Sequence, residues 1–165
     1  MIRLLRGGLI MGNNKHVKRV WWALTVVWCV FIFVQSQQNA AESSSKSAFI
    51  MKIINSLISR ITNNDEFALS EYFIRKTAHF TEYFILGFLL YGSLKKEGFK
   101  LLYPALSILI SAAYAISDEI HQYFIPGRVM SLFDVFIDTC GAAVGVFLFC
   151  IILALRNKIS FKSKQ

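Results

Sequence analysis

Residues 114–141 read YAISDEIHQYFIPGRVMSLFDVFIDTCG, and this stretch decides the architecture. An apolar run ends in the adjacent acids Asp118 and Glu119, followed by His121 and Gln122. A Pro126-Gly127-Arg128 turn comes next. A second apolar run follows, carrying Asp134 and Asp138. Charges on the shoulders of apolar helices are expensive in lipid, and they mark either function or a buried ion-pair network.

The rest of the chain agrees with a membrane setting. Its 165 residues suit one domain, 55% are hydrophobic, and only 17% are charged. A soluble domain is about half apolar and about a quarter charged. The mean hydropathy of +0.50 reflects apolar residues gathered in blocks. The formal net charge of +8 is carried by tails and short loops beside those blocks. That placement fits membrane orientation and acidic head groups, not nucleic acid. Cys29, Cys140 and Cys150 all sit inside apolar runs, with neither a disulfide pattern nor metal-ligand spacing.

Residues 1–19 form a basic tail with Arg3, Arg6, Lys15, Lys18 and Arg19 and no acid. Within it, Arg6-Gly7-Gly8 followed by Met11 resembles a translated ribosome-binding site before a start codon, so Met11 is a candidate start alongside Met1. Residues 20–36 make the first span, given that roughly 20 residues suffice. A secretory signal is the competing reading. Three tryptophans and the poor cleavage site at Gln37–Ala41 favour a retained span. Residues 37–75 are the long connection, with a loop expected at Ser43-Ser44-Ser45. Within it, residues 47–61 place Phe49, Ile50, Ile53, Ile54, Leu57, Ile58 and Ile61 on one helical stripe. That stripe predicts an amphipathic interfacial helix in the first extracellular loop, packing on the bundle being the alternative.

Further spans are expected over 76–94, 101–122 and 132–155, with Pro104 tolerated in the first turn of the third. A basic tail occupies 156–165. The excess of Lys and Arg in the two tails and in the 95–100 loop puts both termini in the cytoplasm. The predicted fold is therefore an all-α four-transmembrane-helix bundle, with one membrane domain over 20–155.

This topology brings polar groups to one height. At 1.5 Å per residue, Glu82 lies ~20 Å and His79 ~24 Å from Lys95. Asp118 lies ~27 Å from Lys100, and Asp138 ~27 Å from Arg156. In a core of ~30 Å these four share one layer near the outer surface and are expected to meet in one outward-opening pocket. Gly141 and Gly145, on the face of Asp134 and Asp138, predict a close helix contact that turns Asp138 inward. Glu82, Asp118, Glu119, Asp134 and Asp138 outnumber Arg75, Lys76 and Arg128, so a purely structural network is left unbalanced. Bland roles remain open. Ser131-Leu-Phe-Asp134 fits a capping box, Pro126-Gly127 fits a type II turn, and Arg128 is a neutralising partner for Asp118 or Glu119.

These residues resemble the VanZ-like family of bacterial integral membrane proteins. The matching pieces are Lys76-Thr-Ala-His79-Phe-Thr-Glu82-Tyr83 with Gly87, and Ser117-Asp118-Glu119-Ile-His121-Gln122. Pro126-Gly127-Arg128 with Ser131, Asp134 and Asp138, and Gly141-Ala-Ala-Val-Gly145, complete the match over roughly 20–155. The resemblance implies a multi-pass cell-membrane protein of a family named for association with teicoplanin resistance.

Three functions compete. The first is a site for the head group of a lipid-linked envelope precursor, another membrane lipid or a lipoglycopeptide antibiotic. Lys76, Tyr83, Glu119, Gln122, Arg128, Ser131, Asp134 and Asp138 would bind it. The second is an enzyme on a lipid head group, with His79, Glu82 and Asp118 as acid–base groups. Alternatively His79, Glu82, Asp118 and Asp138 would hold a divalent cation. No HExxH, GxSxG or cysteine nucleophile supports it. The third, a proton- or cation-coupled transporter, fits least, because the site is shallow and no internal repeat is visible.

Overall fold

The computed structural model describes residues 15–62, 68–95 and 101–162. Among these, five helices and no strand occur: α1 (Lys15–Ser36), α2 (Ala40–Thr62), α3 (Glu71–Leu94), α4 (Leu102–Tyr123) and α5 (Leu132–Lys162). The candidate start at Met11 lies outside the described residues.

Local chemistry sets the helix ends. The loop expected at Ser43-Ser44-Ser45 is instead helical, because α2 begins at Ala40. Asn39 and Glu42 form a capping box: the Glu42 backbone N–H donates to Asn39 Oδ1 at 2.9 Å, and the Asn39 N–H donates to Glu42 Oε2 at 3.2 Å. Serine inside a helix costs only ~0.5 kcal/mol, less than such a cap contributes. Ser70 starts α3 by accepting from the Phe73 N–H. After α4, the Arg128 N–H closes a turn onto the Ile125 carbonyl at 3.1 Å, with Gly127 at φ 77°. That angle is the one a type II turn demands after Pro126.

The tightest seam lies between α3 and α5. A Cβ added at Gly141 would strike the Phe80 carbonyl, and one at Gly145 the Phe84 carbonyl. Lys76 meets Asp134 and the Phe88 ring lies tilted with its centre 4.8 Å from that of Phe149, so the partners advance together and the two helices run parallel. Ile32, Tyr83, Leu86, Leu90, Ala115 and Ala142 form the core beside this seam. Tyr91, Val146 and Phe149 continue it. α1 is tied on by polar bonds. Trp28 Nε1 donates to the Glu82 carbonyl at 2.8 Å, the Thr25 and Ser93 hydroxyls meet at 3.0 Å, and the Tyr114 hydroxyl donates to the Cys29 carbonyl at 2.8 Å.

The outside is apolar. Val26, Val27, Val30 and Val34 on α1, and Phe136, Phe147 and Leu155 on α5, are exposed. Among the described residues, two helices are long and apolar enough to cross a membrane: α1, and the Leu132–Ile159 part of α5. The expected four spans are thus matched by two helices of that composition. α3 and α4 carry the polar stripes, which lower their average. On α4, Ser107, Ser111, Asp118 and Gln122 are all buried. The stripe on α2 faces away from the bundle, with Phe49, Ile50, Ile53, Leu57 and Ile61 exposed. Its polar edge holds it instead: Asn55 Nδ2 donates to the Leu69 carbonyl at 3.1 Å and its Oδ1 accepts from the Leu69 N–H at 2.9 Å.

The seam predicts a sharp steric response. Gly145→Leu forces two backbones apart and destabilises the fold by about 1–3 kcal/mol, as overpacking does. Val144→Leu, at an exposed position next door, leaves stability unchanged. Thermal unfolding of the detergent-purified protein checks both.

Candidate functional site

The first turns of α2 and α5, the second and third turns of α3 and the last turn of α4 meet the 125–128 turn around a cavity of about 290 Å³. Its charged and polar walls are Arg75, Lys76, His79, Gln122, Arg128, Ser131 and Asp134, with Ser43 from α2. Three fixed cations therefore face one carboxylate. Lys76 is ion-paired with Asp134 and also lies 5.0 Å from the Tyr72 ring centre. Arg75 sits 3.8 Å from Glu71, one turn earlier on α3. Arg128 is fixed by two neutral acceptors: Nη1 donates to Gln122 Oε1 at 2.7 Å, and Nε to the Gln38 carbonyl at 3.1 Å. Burial pushes the Arg128 pKa down, and nearby Asp118 pulls it back up. The guanidinium still keeps its charge.

Behind this wall lies a tier of buried acids. Asp118 accepts from Gln122 Nε2 at 2.9 Å, so Gln122 stands between it and Arg128. Glu119 Oε2 accepts from the Ser131 N–H at 2.7 Å. Asp138 is fully buried, and neither carboxylate oxygen has a hydrogen-bond partner. His79 Nδ1 lies 3.8 Å from Asp138 Oδ1. Tyr83 is also fully buried, with its hydroxyl unpaired among Asp118, Asp138 and Glu82.

The sequence model of the VanZ/LLP1 family matches residues 21–153. The chain belongs to the VanZ/LLP1 family. No curated protein and no solved structure matches it. In this VanZ/LLP1 chain the residues carrying the resemblance separate into two tiers. Lys76, His79, Gln122, Arg128, Ser131 and Asp134 line the cavity, whereas Glu82, Tyr83, Asp118, Glu119 and Asp138 do not.

Several expectations are corrected by that separation. Of His79, Glu82, Asp118 and Asp138, expected to share one pocket, only His79 lines this cavity. Nor do they form a metal centre: among the described residues no three His, Cys, Asp or Glu side chains group to hold an ion. Tyr83 is fully buried in the core beside these acids. Arg128 gives two of its donors to Gln122 and the Gln38 carbonyl, and its charge acts on Asp118 and Glu119 through space, not through a hydrogen bond. The Ser131 box is only half made. Ser131 Oγ accepts from the Asp134 N–H at 3.3 Å, but the Asp134 carboxylate turns to Lys76. Glu119, from α4, takes the Ser131 N–H in its place.

Arg75 and Ser43 are wall residues that spacing did not single out. Arg75 was visible as the neighbour of Lys76. Ser43 was hidden by reading the serines as loop.

The borrowed cap gives a test. Glu119→Ala strands the Ser131 N–H and lowers stability by about 1–3 kcal/mol. Glu119→Gln keeps an acceptor and recovers most of that loss. Denaturation of the two variants against the native chain measures the difference.

Proposed function

We propose that this VanZ/LLP1 protein is a four-span cell-membrane protein whose outward-facing cavity binds the anionic head group of a lipid-linked envelope molecule. The observation that carries the reading is the wall of Arg75, Lys76 and Arg128 around a single carboxylate. Lys76 satisfies Asp134, so the wall keeps an excess of positive charge. Arginine forks suit phosphate or carboxylate, and such charge-assisted bonds are the strong ones. The volume of about 290 Å³ takes a phosphate together with part of its neighbour.

The topology rests on the same physics. The parallel run of α3 and α5 fits two spans that descend in the same direction. The antiparallel α1 and α4 would ascend, placing both termini in the cytoplasm. The polar bonds of Trp28, Thr25 and Tyr114 fasten α1 to the bundle and favour a retained span over a cleaved signal. The apolar stripe of α2 would lie in the outer interface beside the cavity mouth. The resistance association of the family fits a protein that occupies an envelope precursor. A carboxylate of a lipoglycopeptide is the competing occupant of the same wall.

Binding to a short-chain lipid phosphate in detergent tests the reading. The phosphate binds, its uncharged alcohol analogue does not, and Arg128→Ala weakens binding by roughly 10- to 100-fold, the loss of about 1.5–3 kcal/mol expected for a charged hydrogen bond. Equal binding of the alcohol, or unchanged affinity in Arg128→Ala, overturns it. For the topology, Val129→Cys is labelled by a membrane-impermeant thiol reagent in intact cells, and Ile159→Cys only after lysis. Both positions are exposed on the protein surface.

A further inference from the structure

Binding an anion makes no use of Asp138. Its carboxylate is fully buried, both oxygens lack hydrogen bonds, and the Gly141 contact one turn on holds it against α3. Burying such a group without a partner is costly. His79 Nδ1 lies 3.8 Å from Asp138 Oδ1 and is itself sealed from solvent and unbonded. The His79 side chain retains 14% exposure, and the ring lines the cavity. Its accessible edge therefore carries Nε2. Carboxylate, imidazole and a cation-lined cavity stand in that order. That is the arrangement of a general base backed by an orienting acid.

We infer that His79 is the general base in hydrolysis of a phosphate ester held in the cavity, with Asp138 as its positioning residue. The inference rests on the anionic-ligand reading above. A water oxygen bonds to phosphorus as its proton passes to His79 Nε2. The phosphorus–oxygen bond to the lipid breaks, and its electron pair stays on the lipid oxygen. That alkoxide takes a proton from solvent at the cavity mouth, and the imidazolium returns its proton to solvent. Ester and water thus become lipid alcohol and inorganic phosphate. Arg75, Lys76 and Arg128 offset the charge on the remaining phosphate oxygens. Asp138 holds the Nδ1–H tautomer and stabilises the imidazolium. The 3.8 Å separation is long for a hydrogen bond, and catalytic pairs tighten when substrate binds.

The charges around the base are mixed. Asp134 and Asp138 face His79 from α5, Arg128 from the turn, and Arg75 and Lys76 from its own helix. Asp118 and Glu119 on α4, and Glu82 on α3, surround Asp138 in turn. Replacing Asp138 therefore changes the proton affinity of the base and not only its position.

The test uses the full chain in detergent, with short-chain phosphatidic acid as probe and ¹⁸O-labelled water as solvent. The native protein binds the probe and releases inorganic phosphate carrying one labelled oxygen. His79→Gln, on the cavity wall, binds within about 3-fold but releases phosphate at least about 100-fold more slowly. Asp138→Asn lowers kcat with KM little changed and displaces the acidic limb of the pH–rate profile, which a merely structural role would not do. Should Asp138→Asn fail to fold, His79→Gln alone decides. Binding without release by the native protein overturns the hydrolytic role and leaves the binding reading standing. Failure to bind overturns both. Unlabelled phosphate, or undiminished release from His79→Gln, removes the general-base assignment.

Discussion

Contact of one helix backbone directly on another is the constraint from which the site follows. Gly141 and Gly145 let α5 lie against the Phe80 and Phe84 carbonyls of α3. With no side chain between them, the two helices have almost no freedom to slide. That fixed register opposes Lys76 to Asp134 and His79 to Asp138. A slip of one residue would rotate these partners out of reach and turn at least one charge toward the apolar exterior. Small residues thus act on function at a distance, by deciding which polar groups meet.

The second consequence is the separation of sign by depth. Cations line the cavity while acids lie behind them. The acids are held by neutral intermediaries: Gln122 for Asp118, the Ser131 N–H for Glu119. A guanidinium bonded to an amide and a carbonyl keeps more of its field for an incoming anion than one already paired with a carboxylate. Gln122 therefore does two jobs: it satisfies Asp118 and holds Arg128 facing the cavity.

Much of this was legible in the sequence. Helical placement followed from apolar blocks, the Gly141–Gly145 step announced the seam, and Pro126-Gly127 announced the turn. The polar stripe through Ser107, Ser111, Asp118 and Gln122 is buried as its spacing required. What stayed hidden was partner choice. Five acids and three cations can pair in many ways, and composition does not say that an amide will come between Arg128 and Asp118. Neither could spacing show that Asp134 would leave its own cap to Glu119. Depth along a helix places groups at one height but not around the axis, so His79, Glu82, Asp118 and Asp138 looked like a single cluster. The start of α2 was missed for a local reason: three serines suggest a loop, while in the fold the Asn39–Glu42 cap starts a helix that runs through them.

The uneven hydropathy of the helices bears on how the protein is built. α1 and α5 have the length and apolar composition of membrane-crossing helices, whereas α3 and α4 carry His79, Glu82, Asp118 and Gln122. On the four-span topology proposed above, α3 and α4 would be poor candidates for one-at-a-time integration. They would leave the translocation machinery with a companion, α1 already waiting to cover one side and α5 closing the other last. The polar interior that serves the site would thereby make biogenesis cooperative, with the C-terminal helix as the step that commits the chain.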